Sequence, residues 1–293
     1  HLPNGESLQK LLIESLETIG VWSTALEERR ALLAKIETPA LEDWYALMHC
    51  ANQARRLDVL EEACRRILEL SPEDATARQY LGQAAEARGD DRAAIEYFTE
   101  AIRLSPDQPE VWLSLVGAYR RLGQEAQAVE TLRAASQAAP DCVEIHKELG
   151  DAYSAQNALT QALACYRRAA ELSPTEANLL NLGQTLLDLG RFEEARQTLS
   201  PLYQGEPSGA HAPDLLYAYA RSLLGLGETE PAIPLLLEVI RQQPEKPQPV
   251  LELAQAFLRS PAHSGGAQQV IPFLQRILGQ SPAGDEGGYH GAL

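Results

Sequence analysis

The sequence predicts an all-α protein, a right-handed α-solenoid of about eight stacked antiparallel helix pairs. Three observations predict this fold. Prolines recur at a constant spacing, at Pro72, Pro106, Pro140 and Pro174. Between them, apolar residues follow the 3.6-residue period of an α-helix. Only 6% of the residues are aromatic while Ala, Leu, Glu and Arg are abundant, a composition typical of closely packed helices.

The stretch from Pro109 to Cys142 contains one complete helix pair and sets the phase for the others. The first helix carries one apolar stripe, at Trp112, Leu115, Val116 and Tyr119. Gly123 interrupts that helix, and a second helix carries the next stripe, at Ala126, Val129, Leu132 and Ala135. Pro140 closes the pair, because proline excludes the residue before it from helical dihedrals.

Numbered from Pro109 as position 1, this pair has Trp at 4, Leu at 7, Tyr at 11, Gly at 15, Ala at 20, Leu at 24, Ala at 27 and Pro at 32. The series resembles the 34-residue signature of the tetratricopeptide repeat family. The resemblance implies a superhelix of helix pairs that binds other proteins. Small residues at positions 8, 20 and 27 fit places where helix axes cross closely, and large residues fill the gaps between crossings.

In this phase a single solenoid occupies residues 1–284, with pairs at residues 6–40, 41–74, 75–108, 109–142, 143–175, 176–212, 213–246 and 247–284. The first pair diverges, as expected of a cap at the end of a repeat stack. The second pair has Met48 at a Gly position and Leu60 at an Ala position. Pro234 and Pro272 fall inside the last two second helices, where we expect a late start or a kink. Residues 285–293 fit either a linker or the start of a ninth helix.

Composition and charge exclude several classes of function. The formal net charge of −16, from 41 acidic and 25 basic side chains, repels a phosphate backbone, so nucleic acid is not an expected partner. The sequence has no apolar run long enough to span a bilayer, so no membrane insertion is expected. Four cysteines without a CxxC motif indicate buried free thiols in a reducing compartment. We therefore expect a cytoplasmic protein.

No catalytic or metal-binding motif is present in the sequence. The histidines His49, His146, His211, His263 and His290 are scattered and form no HxxxH or HExxH set. Gly225-Leu226-Gly227 fits a helix-breaking turn better than a phosphate-binding loop. The sequence therefore predicts no cofactor, no metal and no catalysis within this segment.

The family resemblance implies that a ligand contacts positions 2, 5, 9, 12 and 13 of the first helices, on the concave face. At these positions we expect partner-binding residues at Tyr45, His49, Gln79, Gln83, Leu113, Arg120, Arg121, Lys147, Leu180, Gln184, Leu187, Tyr217, Arg221, Leu224, Leu251, Leu258 and Arg259. The resemblance does not extend to the carboxylate clamp of chaperone-binding members, because Asp151 stands where that clamp has Asn.

Two features of this set suggest the chemistry of the partner. Leucines recur in register, at Leu180, Leu187, Leu224, Leu251 and Leu258, and suggest an exposed apolar strip unless a tighter superhelix buries them. Basic residues oppose the net charge, at Arg120, Arg121, Lys147, Arg221 and Arg259, unless each simply pairs with a neighbouring acid. If the apolar strip is exposed and the basic residues are not paired within the protein, the partner has acidic and apolar side chains and is anchored by Tyr217 and Arg221.

The sequence thus predicts a non-catalytic scaffold that holds a peptide or a helix of another protein along the concave face. A homo-oligomer is compatible with this function. The alternative is a regulatory or self-assembly arm of a larger multidomain enzyme.

Overall fold

A computed structural model describes residues 5–204 and 212–259, together with Ile271 and Gln275. Within these residues the chain forms fifteen α-helices and no strand, which confirms the all-α prediction. The chain divides into two compact units, His1–Ile145 and His146–Leu293. The single domain and the right-handed superhelix stay predictions.

The helices of the first unit occur in four pairs. They are α1 (Gly5–Thr18), α2 (Trp22–Leu33), α3 (Leu41–Gln53), α4 (Leu57–Leu70), α5 (Ala75–Ala87), α6 (Asp91–Leu104), α7 (Pro109–Arg121) and α8 (Glu125–Ala138). The two helices of a pair pack together, and α2, α4 and α6 also pack on the first helix of the following pair. The first unit is therefore a stack of pairs in the predicted phase.

The second unit continues the same alternation. It contains most of α9 (Val143–Ala155), followed by α10 (Leu159–Leu172), α11 (Glu176–Asp188), α12 (Phe192–Gln204), α13 (Ala212–Gly225), α14 (Thr229–Gln242) and α15 (Pro247–Arg259). Here α10, α12 and α14 pack on the first helix of the following pair. Helix pairs stacked in sequence confirm the α-solenoid prediction. The second helix expected for residues 247–284, Pro272 in it, and residues 285–293 lie outside the described residues.

All seven described pairs turn at position 15 of the repeat. A left-handed residue stands there each time, with φ between 54° and 80°, at Gly20, Arg55, Gly89, Gly123, Asn157, Gly190 and Gly227. The next N–H then returns to the first helix, as in the 2.9 Å bond from Gln124 N to Tyr119 O. Glycine accepts this backbone without strain, whereas a side chain with a Cβ does not. The left-handed backbone conformation therefore recurs with the same period as the sequence repeat.

The two helices of a pair lie close together between positions 8 and 24. An ideal Cβ on Gly82 would lie 2.5 Å from the Phe98 ring, and one on Gly150 would lie 2.7 Å from the Tyr166 ring. The second pair reverses the sizes, with buried Met48 at position 8 and buried Cys64 at position 24. One large side chain therefore occupies each of these crossings, and the replacement of Gly by Met48 is matched by a smaller partner.

The helix that contains Pro234 does not begin late, so the late start was wrong, while the alternative of a kink stays a prediction. α14 begins at Thr229, at the same position of its pair as α8 begins at Glu125. Proline in the second turn removes a single backbone bond, while Ile233, Leu236 and Ile240 around it are buried in one cluster. Packing of this apolar stripe outweighs the lost hydrogen bond. Pro272 lies outside the described residues.

The four cysteines are free thiols, and three of them, Cys50, Cys64 and Cys165, are buried. Burial raises the pKa of the Cys64 thiol to about 12 and that of Cys165 to about 11. These thiols therefore behave as small core residues. Among the described residues, no helix has the length and apolar character needed to cross a membrane.

Ala128→Leu and Ala162→Leu are each expected to lower the free energy of unfolding by about 1–3 kcal/mol, because both alanines have no exposed surface at a helix crossing. Denaturant unfolding measures the change. Ala134→Leu is the matched control, since Ala134 is exposed on the same helix as Ala128. Unchanged unfolding midpoints for both core variants would contradict this packing.

Arg55→Gly is expected to raise the free energy of unfolding by about 1 kcal/mol, because Arg55 has a φ of 54° and a Cβ is disfavoured in this conformation. Asn157→Gly makes the same change at the equivalent turn, where Asn tolerates left-handed backbone better, and should give a smaller gain. Thermal or denaturant unfolding of both variants tests the pair. A loss of stability in Arg55→Gly would show that its side chain contributes more than its backbone costs.

Candidate partner-binding surface

The surface formed by positions 2, 5, 9, 12 and 13 of the first helices is here called the first-helix face. In the first unit it begins on α3 with Tyr45, whose hydroxyl donates a hydrogen bond to the Asp74 carboxylate. Asp74 also accepts a bond from the Ala77 N–H at the start of α5, at 2.7 Å. Burial, with the Asp74 contact adding to it, raises the pKa of Tyr45 to about 12. Tyr45 therefore ties α3 to α5 as well as contributing surface.

His49 is exposed one turn further along α3. Its ring stands edge-on to Trp22 at a centroid distance of 5.9 Å. This aromatic contact orients the imidazole toward α2. Among the described residues no group of three or more His, Cys, Asp and Glu side chains is placed to hold a metal ion.

A cavity of about 500 Å³ opens between α3 and α5. It is lined by Asn52, Arg55, Leu57, Leu60, Gln83 and Ala87. Gln83 is half-buried, as is Gln79 one turn before it. Amides above apolar side chains provide both donors and acceptors for an extended backbone or a polar side chain.

A second cavity, of about 510 Å³, opens beside Leu113 on α7 and is here called the Leu113 cavity. Its apolar lining consists of Pro109, Leu113, Ala139 and Pro140. Glu110, Asp141, Cys142 and Glu144 complete the lining, and its three acidic residues are here called the acidic rim. Lys and Arg are absent from this lining, so the cavity combines an apolar floor with an acidic rim.

The arginines at the end of α7 have acidic neighbours within the first unit. Arg121 Nε lies 2.7 Å from Asp91 Oδ1, and Arg121 Nη1 lies 2.9 Å from Glu86 Oε1 on α5. Arg120 Nε lies 3.6 Å from Glu125 Oε1. These pairs neutralise the positive charge that the sequence suggested would be available to a partner.

In the second unit, Lys147 forms an ion pair on its own helix. Its Nζ lies 3.3 Å from Asp151 Oδ2, while the other oxygen of Asp151 accepts a 2.6 Å bond from the Tyr166 hydroxyl. Burial and this carboxylate raise the pKa of Tyr166. Asp151 therefore links α9 to α10 and places a negative charge beside Lys147.

The expectation of an exposed leucine strip was wrong for Leu180 and Leu187. Their exposed fractions are 6% and 3%, and both belong to a core cluster that includes Leu215 and Ala218 of α13. α13 packs on α11 and covers these positions. Gln184, one turn from each leucine, remains half-buried.

The remaining leucines of the strip differ among themselves. Leu224 and Leu251 are partly buried against the core of the second unit. Leu258 and Arg259, at the end of α15, are exposed. The apolar strip is therefore not continuous, because only Leu258 presents most of its side chain to solvent.

Tyr217 and Arg221 of α13 form a cluster with Glu252 of α15. The Tyr217 hydroxyl donates to Glu252 Oε1 at 3.1 Å, and the Arg221 guanidinium lies 5.9 Å from the centre of the Tyr217 ring. Arg221 also lies 3.6 Å from Glu252 Oε1 and 3.3 Å from Asp188 Oδ1. Arg221 thus contacts carboxylates on α11 and α15, the first helices of the neighbouring pairs.

Glu252 occupies a partly buried position in this cluster. Burial raises its pKa, an effect partly offset by the Tyr217 hydroxyl and the Arg221 charge, which lower it. Its second oxygen, Oε2, is buried and has no hydrogen-bond partner among the described residues. Tyr217 and Arg221 therefore stabilise a charge within the protein and are not free anchors.

Sequence reasoning missed the acidic partners of these residues, chiefly Asp188 and Glu252, because they lie on different helices of the stack. It also passed over the rim of the Leu113 cavity. A signal for that rim exists, since Glu110 and Glu144 both occupy position 2, in two consecutive pairs. His211 and His263 lie outside the described residues, as does His290.

Comparison with protein families gives matches along most of the repeat region. Two models described as tetratricopeptide repeat match residues 85–152 and residues 53–109 and 180–247. A model described as TPR repeat matches residues 150–190. Together these ranges cover residues 53–247 without a gap.

A curated relative and several solved structures are similar to the chain. Tetratricopeptide repeat-containing protein trd-1 of Caenorhabditis elegans is 33% identical over 98 residues, which are 33% of this chain and only 11% of that protein. The structure of YrrB, a TPR protein with an unusual peptide-binding site, gives a TM-score of 0.55 at 18% identity, over 65% of this chain and 97% of YrrB. MamA 41-end from Desulfovibrio magneticus RS-1 gives 0.52 at 16% identity, over 60% and 98% of the two chains. The structural likenesses show the fold alone.

Glu252→Gln is expected to change how stability depends on pH. Because the folded-state pKa of Glu252 is raised, its proton stabilises the fold below the unfolded pKa of about 4.3, and this stabilisation is lost as the pH rises through the folded value. The Gln variant lacks this loss, so its stability relative to the wild type should increase from pH 4 to pH 7. Denaturant unfolding across that range measures the difference; a relative decrease would mean that Arg221 outweighs burial.

Proposed function

Because the chain belongs to the tetratricopeptide repeat family, we propose that it is a protein-interaction scaffold that holds a peptide or helix of a partner on its first-helix face. The observation that carries the proposal is the pair of cavities on this face of the first unit. Their linings include Gln83 and Leu113, both at positions expected to bind a partner. Volumes of about 500 Å³ are in the range of ligand sites. YrrB, described as having an unusual peptide-binding site, shares the fold.

The charges on this face favour a partner with a basic side chain. The ion pairs of Arg120, Arg121, Lys147 and Arg221 remove the reason to expect an acidic partner. The Leu113 cavity instead suits the aliphatic stem of a Lys or Arg on its apolar floor, with the cationic head beside the acidic rim. The net charge of −16 steers a basic segment toward the protein.

The proposed role is non-catalytic. The Leu113 cavity contains one nucleophilic group, the Cys142 thiol, and burial raises its pKa. A raised pKa disfavours the thiolate, which is the reactive form. The cavity therefore fits recognition of a partner better than covalent chemistry.

A phage-displayed library of random peptides tests this function directly. Peptides selected on the purified chain are expected to combine apolar residues with Lys or Arg. Leu113→Lys places a cation in the cavity and should weaken their binding at least tenfold, about 1.4 kcal/mol. Fluorescence anisotropy of the labelled peptides measures the dissociation constant.

Thr99→Lys adds the same charge at an exposed position of α6, outside the first-helix face, and should leave affinity unchanged. Glu110→Gln with Glu144→Gln should reduce the salt dependence of binding, because it removes two rim charges. Equal binding by wild type and Leu113→Lys would place the site elsewhere. Selection of acidic peptides would contradict the proposed partner chemistry while leaving the scaffold role intact.

A further inference from the structure

The cavity of about 500 Å³ between α3 and α5, here called the Arg55 cavity, contains a cation without an acidic partner. Its lining includes Arg55 and no Asp or Glu. Within the described residues, the side chain of Arg55 forms no ion pair and no hydrogen bond. A guanidinium with all its donors available beside a cavity can bind an anion by charge-assisted hydrogen bonds.

Other cavities lined by arginine differ from this one in charge. Three of them contain arginines whose guanidinium lies 2.7–2.9 Å from a carboxylate oxygen. These ion pairs are Arg65–Glu61, Arg88–Glu61, Arg66–Glu69 and Arg196–Glu193. The protein neutralises the arginines of those cavities and leaves the charge of Arg55 for a ligand.

The acids that adjoin lining residues of the Arg55 cavity in sequence are bonded to other arginines. Asp58, Glu61 and Glu86 lie 2.8–3.0 Å from Arg56, Arg65 and Arg121 respectively. α4 begins at Leu57, so the cavity also adjoins the N-terminal end of a helix, where partial positive charge favours an anion. The electrostatics of the cavity are therefore opposite to those of the acidic rim of the Leu113 cavity.

Two amide residues, Asn52 and Gln83, belong to the same lining. Both are half-buried, and neither side chain has a hydrogen-bond partner in the part of the chain that the structure describes. Each amide offers two N–H donors and the guanidinium offers five. A carboxylate accepts several hydrogen bonds and donates none, so it matches this excess of donors.

The backbone of Arg55 is held in a conformation that suits glycine better. Its φ is 54°, and five of the seven equivalent turns have Gly while another has Asn157. A long side chain at such a position is disfavoured locally, and disfavoured backbone is concentrated at functional sites. Retention of an arginine here therefore supports a function for its charge.

The Arg55 cavity and the Leu113 cavity lie toward opposite edges of the first-helix face. The first is lined by positions 9–15 of two pairs, and α7 contributes positions 1–5 to the second. Eight residues of helix rise about 12 Å, and α5 and α7 are neighbouring first helices about 10 Å apart. An extended chain covers the resulting diagonal of about 15 Å in about five residues.

We propose that the Arg55 cavity binds the Asp or Glu side chain of the partner segment whose Lys or Arg occupies the Leu113 cavity. The inference rests on the proposed function and gives that partner a second anchor, about five residues from the basic one. The carboxylate accepts hydrogen bonds from Arg55 and from the amides of Asn52 and Gln83. The basic anchor offsets the repulsion between this carboxylate and a protein of net charge −16.

An internal acidic residue is expected rather than a C-terminal carboxylate. The clamp that holds such a carboxylate in chaperone-binding members is not matched here, because Asp151 stands where it has Asn. A segment that crosses the face diagonally also continues beyond both anchors.

Selection of peptides on the wild type and on two variants tests the pairing of charges. The probe is a phage-displayed library of random peptides whose C-termini are joined to the coat protein, so that only side chains supply carboxylates. Peptides selected on the wild type should carry Asp or Glu about four to six residues from Lys or Arg. Arg55→Gln should remove the preference for Asp or Glu and keep that for Lys or Arg, and Leu113→Lys should do the reverse.

Fluorescence anisotropy with one selected peptide measures the contact itself. Replacement of its acidic residue by the amide should weaken binding at least tenfold on the wild type and leave it unchanged on Arg55→Gln. Arg92→Gln is the matched control, since Arg92 is exposed on α6 and has no ion-pair partner among the described residues. Arg55→Gly should also weaken binding tenfold while raising the unfolding midpoint, which excludes unfolding as the cause.

The outcomes separate this inference from the proposed function. Selection of basic peptides without an acidic preference, or equal affinity of the wild type and Arg55→Gln, would overturn the acidic anchor and leave the scaffold role intact. The same loss from the peptide change on both proteins would assign the carboxylate to another residue and overturn the role of Arg55. Dependence on a free C-terminus, measured with the amidated peptide, would overturn the side-chain source. Failure to select any peptide would overturn the proposed function and this inference together.

Discussion

The repeat stack depends on how much side-chain volume fits where the two helices of a pair cross. In three pairs, positions 8 and 24 hold one large side chain between them: Phe98 over Gly82, Tyr166 over Gly150 and Leu199 over Gly183. Where position 8 is Gly, the backbone carries no side chain, so the axes come close and the apolar stripes interdigitate. That approach holds each second helix at a fixed distance from its partner, which in turn presents its other side to the next pair.

This geometry determines what the first-helix face can offer a partner. Within a unit, first helices lie near enough for side chains to connect them, as Arg121 connects α7 to Glu86 of α5. The same proximity allows α13 to cover Leu180 and Leu187. A face that looked basic and apolar by residue type is therefore largely self-neutralised. For a partner, the face retains its two cavities, and the Leu113 cavity has an acidic rim.

The sequence was sufficient for the helices and their phase, because local chemistry sets both. A proline such as Pro140 and a left-handed residue such as Gly123 each end a helix of the repeat. Burial of Leu187 and the pairing of Arg221 with Glu252 were not predictable in this way. Each depends on which element packs alongside, and that element belongs to a different pair of the stack. The start of α14 was not predictable from local sequence either, because its buried apolar residues stabilise the helix despite Pro234.

The reversed sizes of Met48 and Cys64 have a consequence for how such a chain is inherited. A recombination event that joined α3 to α6 would set Met48 against Phe98, two large side chains in the space for one. Joining α5 to α4 would set Gly82 against Cys64 and leave a void. Single helices are therefore poor units of genetic exchange in this protein. Intact pairs carry their own complementary volumes, so duplication and deletion in steps of a whole repeat conserve the packing that half-steps would destroy.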